Sequence, residues 1–217
     1  DARAARAMAQ AVEHAGDRDE LLVELDRLYV KTESWNELGP VLERRVDLVF
    51  EPEAQVELLV RLGELRRTRY ADLRGAYEAF SRVLDVEPSE ARATAALVEL
   101  GKDESLAADV VDVLDRAYRA AGDLRAAAEL YDLRLDLVGS AGEKVALLNE
   151  AAGLWEQDLG EPARALDCLV RAFGLDPSDV GLIDEIERLA NATGETERLR
   201  GLVEKADQMP RDEEQLR

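Results

Sequence analysis

Apolar residues recur at helical i, i+3, i+4, i+7 spacing along nearly the whole chain, and no segment alternates with period two for long enough to be a strand. One run passes through Leu21, Leu22, Leu25, Leu28 and Tyr29, and the next through Leu38, Val41, Leu42 and Val46. Between them stands Thr32-Glu33-Ser34, with Ser34 placed to cap a helix. Val56, Leu59, Leu62 and Leu65 begin a third run, and Ala76, Phe80, Val83 and Leu84 a fourth, which Pro88 stops. The pattern predicts about twelve helices: 2–15, 17–31, 35–49, 52–70, 73–86, 90–101, 104–121, 124–138, 142–159, 162–174, 179–192 and 196–207. Pro162 suits a helix start, where its missing N–H has no partner to lose. Connections of a few residues force successive helices to pack antiparallel.

The helices repeat. Shifting the chain by 89 residues aligns 1–89 with 90–178 without a gap and gives 20 identities. Roughly 8 are expected by chance for a composition this biased. Leu25-Asp26-Arg27-x-Tyr29 matches Leu114-Asp115-Arg116-x-Tyr118, and Arg45-x-Asp47-Leu48-Val49 matches Arg134-x-Asp136-Leu137-Val138. Val56-x-Leu58-Leu59 matches Val145-x-Leu147-Leu148, and Pro88-Ser89 matches Pro177-Ser178. Residues 179–217 open a third, partial copy. The expectation is an all-α, right-handed solenoid of antiparallel hairpins over residues 1–217, a window of a longer array.

Composition narrows the function. Twenty-eight Lys and Arg face 48 Asp and Glu, a formal charge of −20 that repels phosphate backbones and excludes nucleic acid as a partner. Apolar residues make up 47%, a folded rather than disordered composition. One Cys (Cys168) and one His (His14) give neither a disulfide framework nor a zinc site. No stretch approaches the roughly 18 apolar residues of a membrane span, and no signal peptide is read, so a cytoplasmic location is expected. P-loop, G-x-G-x-x-G and EF-hand spacings are absent, so neither a cofactor nor an enzyme activity is expected. Cys168 beside Leu169 reads as a core thiol, for His14 is too remote to form a Cys–His pair.

The spacing of small and large residues within the hairpins resembles the tetratricopeptide repeat (TPR) family. Counting back from Pro177, Ala172, Leu169 and Ala165 stand at the family's late positions. Ala152 and Trp155 stand at the early ones if the turn Asp158-Leu159-Gly160-Glu161 carries one extra residue. Counting back from Pro88 gives Val83, Phe80, Ala76 and, with the same insertion, Gly63. Arg66 departs from the pattern by standing where the family has an aromatic. Looser hairpins begin near Leu21, Val110 and Ile186, with single helices at 2–15 and 90–101.

The resemblance implies a protein-binding scaffold whose groove is lined by the first helix of each hairpin. On that basis the groove positions are Glu57, Val60, Glu64 and Arg67 in one hairpin, and Ala146, Asn149, Gly153 and Glu156 in another. The lysines of the family's carboxylate clamp are absent, while the Asn149 amide can both donate and accept toward a peptide backbone. Trp35 and Trp155 are expected to pack rather than to anchor a partner. The basic run Arg61, Arg66, Arg67, Arg69 and Arg74 is interspersed with acids and reads as a paired, solvated face. The favoured partner is therefore a protein or peptide of basic or mixed charge. The alternative is structural self-assembly, in which copies stack through uncapped solenoid ends into a homo-oligomer.

Overall fold

The computed structural model describes residues 2–196, and these are helical throughout, with no strand among them. They divide into two packing units that meet in sequence at Gly122 and Asp123. The first holds α1 (Ala2–Ala15), α2 (Asp19–Lys31), α3 (Trp35–Leu48), α4 (Pro52–Leu65), α5 (Leu73–Val86), α6 (Ala91–Leu100) and α7 (Ala107–Ala121). The second holds α8 (Leu124–Leu137), α9 (Ala141–Gly153), α10 (Pro162–Leu175) and α11 (Val180–Thr193). Within each unit every helix packs on the next in the chain, as short connections between amphipathic helices require. The unit boundary falls inside the second 89-residue copy, so packing does not follow the sequence period.

Counting the π-helical turns 66–70 and 154–158 that extend α4 and α9, eleven of the expected helices are present with ends shifted by at most three residues. The twelfth, expected over 196–207, lies outside the described residues from 197 onward. Helix α2 starts at Asp19 because Arg18 is extended, and α7 starts at Ala107 because residues 101–106 form turns. Ser34 precedes α3 but does not cap it with its side chain; its Oγ lies 2.9 Å from Thr32 Oγ1 instead. Side-chain caps do hold α5, α6, α8, α9 and α11, through Asp72, Glu90, Asp123, Ser140 and Asp179. Pro52 and Pro162 both open helices.

The extra residue required in both good hairpins sits in the helix rather than in the turn after it. Helix α4 continues through a π-helical turn at Arg66–Tyr70, and α9 through another at Leu154–Asp158. There Leu159 N–H donates to Leu154 O at 3.1 Å and Glu161 N–H to Trp155 O at 2.7 Å, spans of five and six residues. A π-turn absorbs one inserted residue without breaking the helix, so the α4/α5 and α9/α10 hairpins keep their register on either side.

Packing follows the small-against-large scheme. Gly63 of α4 faces Phe80 of α5, which is wholly buried. Ala152, Trp155, Ala165, Leu169 and Ala172 share one buried cluster across α9 and α10. Arg66 takes over from the missing aromatic: it donates to Gly75 O at 3.0 Å and to Glu43 at 2.5 Å, tying α4 to α5 and α3. Among the described residues Asp26 is the one buried charged side chain, 5% exposed. Arg61 grips it with two hydrogen bonds (2.7 and 2.9 Å) and Arg45 with a third (2.7 Å), so one carboxylate joins α2, α3 and α4.

Candidate protein-binding groove

Helices α9 and α11 both pack on α10, and a groove of about 590 Å³ opens on the second unit between α9 with its π-turn and α11. Two capped N-termini fix its walls. Ser140 accepts from Glu143 N–H at 3.2 Å and donates to the Glu143 carboxylate at 2.7 Å, a reciprocal box that starts α9. Asp179 accepts from Gly181 N–H at 2.9 Å and starts α11. The apolar lining comes from Ala152, Leu169 and Leu182, each nearly fully buried. Above it stand Asn149, Glu156 and Gln157 on one wall, and Glu185 and Arg188 on the other.

Arg188 closes the polar side. Its guanidinium donates to both Glu156 oxygens at 2.7 and 2.8 Å and to Glu185 at 2.7 and 2.9 Å. The Arg188 hydrogen bonds hold the Glu156 carboxyl below its ordinary pKa, so the ion pair persists in mild acid. Gly153 lies on the same wall, in right-handed helical backbone, and a Cβ built there meets no described atom within 4 Å. A helix-interior glycine costs about 1 kcal/mol relative to alanine. No neighbour requires this one, and its lack of a side chain leaves the groove open.

The structure thus brings Asn149, Gly153 and Glu156 together on one wall, with Ala146 exposed on the same helix. The other four expected positions lie on α4 and its π-turn in the first unit. Glu57 is exposed and pairs with Arg92 of α6 at 2.8 Å, beside a smaller cleft of about 310 Å³ lined by Pro52, Glu53, Val56, Glu87, Glu90 and Arg92. Glu64 pairs with Arg67 along the helix at 2.8 Å. Val60 is only 6% exposed, so its side chain packs inside the unit.

The other candidates resolve into packing. Arg61 holds Asp26, Arg66 holds Glu43, Arg67 holds Glu64, Arg74 holds Asp109, and Arg69 lies over the Trp35 ring at 4.6 Å. The basic run is spent on internal partners. Tyr70 donates to Trp35 O at 2.6 Å, fastening the start of α3 to the end of the α4 π-turn. Trp155 is 4% exposed, with Arg164 and Arg125 stacked 4.5 and 5.7 Å from its ring. Cys168 is buried, and desolvation pushes its thiol up to about 11. Among the described residues no group of three or more His, Cys, Asp or Glu could hold a metal ion, and no helix is long and apolar enough to cross a membrane.

Sequence reasoning missed Asp179, Glu185 and Arg188. A usable signal was present: ion pairs between successive hairpins recur at nearly one hairpin length. Arg61–Asp26, Arg92–Glu57 and Arg74–Asp109 are each separated by 35 residues, Arg125–Glu161 by 36 and Arg188–Glu156 by 32.

No family model matches the chain, and no curated protein matches it. Among solved structures it is similar to MamA at 11% identity, covering 86% of this chain and 88% of that one with a TM-score of 0.33. A second MamA structure gives 12% identity, 84% and 92% coverage and a TM-score of 0.33. The TPR2AB domain of yeast Sti1, solved in a pHSP90 complex, gives 17% identity, 94% and 81% coverage and a TM-score of 0.35. The hairpin assignment rests on this chain's own packing and not on these likenesses. With Gly63 seated on Phe80, and Ala152 and Ala165 sharing a core with Trp155 and Leu169, the chain is an all-α helical-repeat protein whose two best-matched hairpins pack small residues against large ones.

Proposed function

We propose that the chain is a non-catalytic interaction scaffold that docks an extended segment of a partner protein in the groove between α9 and α11. The observation that carries this reading is the groove itself. An open channel runs over buried apolar side chains, an exposed amide lines one wall, and a helical glycine leaves room beside it. Its volume lies within the roughly 300–1,000 Å³ of ligand-binding sites. Stacked hairpins suit the task, because each leans mainly on its neighbours and the binding surface grows without one enlarged core.

A photo-crosslinking amino acid at Asn149, with Glu20 on the exposed face of α2 as control, tests the location. The reading expects a crosslinked partner from position 149 that position 20 does not give. Equal yields from both positions would remove the groove as the docking site.

A further inference from the structure

We infer that the groove accepts a cationic side chain of the partner, Lys or Arg, and that Arg188 is the built-in occupant which that side chain displaces. This inference rests on the groove being the docking site. Glu156, Asp179 and Glu185 line the groove against Arg188, three carboxylates to one guanidinium. Asp179 is engaged in capping α11, but Glu156 and Glu185 are both turned to the same guanidinium. Arg188 therefore occupies the place where a ligand cation would gain most. It is also 49% exposed, so its guanidinium can exchange its carboxylate partners for water.

An anionic ligand meets the opposite situation. The groove's cation is already neutralised twice, and a further negative charge would face surplus carboxylate in a chain of net charge −20. A cationic ligand exchanges one guanidinium–carboxylate pair for another, so the pair adds little net affinity. It does set specificity, because a neutral or acidic segment cannot replace what it displaces. Removing the internal competitor should then improve binding, an unusual sign for the loss of a groove residue. The occupant is an extended, lysine- or arginine-bearing segment of another protein.

The test is fluorescence anisotropy with labelled peptides of alternating Lys–Ala, Gln–Ala and Glu–Ala at low salt. The protein is compared as wild type, Arg188→Gln, Glu156→Gln and Gly153→Trp, with circular dichroism confirming that each variant is folded. The Lys–Ala peptide should bind tightest, roughly three- to tenfold tighter still to Arg188→Gln, and more weakly to Glu156→Gln. Binding of that peptide unchanged or weakened in Arg188→Gln, a preference for Glu–Ala, or no Lys–Ala binding up to about 1 mM would each overturn the inference. Gly153→Trp separates the two levels. If it leaves Lys–Ala binding intact, the docking site itself is wrong. If wild type binds all three peptides equally and Gly153→Trp abolishes binding of all three, the groove stands and only the charge preference falls. Sedimentation of the free protein covers the remaining occupant: a dimer that Gly153→Trp dissociates would place a second copy of this chain in the groove and overturn the inference.

Discussion

Ala71 and Gly160 stand 89 residues apart, and both adopt left-handed backbone, with φ of 51° and 66°. Each follows a π-turn and lets the chain reverse into the second helix of a hairpin. Glu33 and Gly122 form a second such pair, at φ of 54° and 75° and also 89 residues apart. The repeat therefore preserves backbone conformation where it does not preserve the residue, and the first copy carries the less comfortable side chains. Left-handed geometry costs a non-glycine residue roughly 1–2 kcal/mol, partly offset by the unfolded-state freedom glycine would add. Ala71→Gly should stabilise the protein by about 0.5–1 kcal/mol and Gly160→Ala should destabilise it by a similar amount. Urea denaturation measures both; a stabilising Gly160→Ala would contradict the account.

Gly63 bears on a different cost. A Cβ there would come within 2.7–2.9 Å of three atoms of the buried Phe80 ring. Overpacking costs typically about 1–3 kcal/mol, against roughly 1 kcal/mol gained by removing a helical glycine. Gly63→Ala should therefore destabilise by up to about 2 kcal/mol, and the effect should shrink in a Phe80→Leu background. Equal losses in both backgrounds would show that the ring is not the obstacle.

The Asp26 cluster predicts an order of effects. Asp26→Asn leaves two arginines short of a buried carboxylate, and breaking such a pair costs up to about 3–5 kcal/mol. Arg45 is 14% exposed and Arg61 35%, so water relieves the second more readily. The expected order of destabilisation is Asp26→Asn, then Arg45→Gln, then Arg61→Gln. Denaturant midpoints check it, and an Arg61→Gln loss equal to that of Asp26→Asn would contradict it.

Cys168 should be nearly inert in the folded protein. With its thiol pushed up to about 11 from an ordinary value near 9, the reactive thiolate is about a hundredfold scarcer at pH 8. Burial slows access further. Because the shift is upward, any stability it confers is complete below the unfolded thiol's range and is lost as pH rises through about 11. Alkylation with iodoacetamide should be at least about a hundredfold slower in buffer than in denaturant, and similar rates would show an accessible thiol.

Much of the architecture was legible because it depends on local rules. Proline stops, helical periodicity and the 89-residue match located the helices to within three residues, and Trp155 fell into the core where the small-and-large spacing put it. What the sequence hid were details of backbone and pairing. A one-residue insertion reads the same whether a turn or a π-turn absorbs it. Val60 is followed by a polar residue and sits at a groove position by analogy, yet the packing of its own unit buries it. The groove was half visible: Asn149 and Glu156 follow from the position of their helix, whereas Arg188 joins them only through a contact 32 residues away. The acids interspersed among the five clustered arginines indicated pairing, but not which partner each one holds, nor that Arg69 lies over the Trp35 ring.

Docking of a partner in the groove between α9 and α11 is measured by titrating the crosslinked partner segment against wild type and Gly153→Trp in a calorimeter. A Cβ at Gly153 meets no described atom within 4 Å, and its backbone is helical, so the variant should fold at least as stably as wild type while the indole fills the channel. If the groove is the docking site, Gly153→Trp keeps or raises thermal stability and reduces affinity at least about tenfold, a loss of roughly 1.4 kcal/mol. Equal affinity for the two proteins would contradict it.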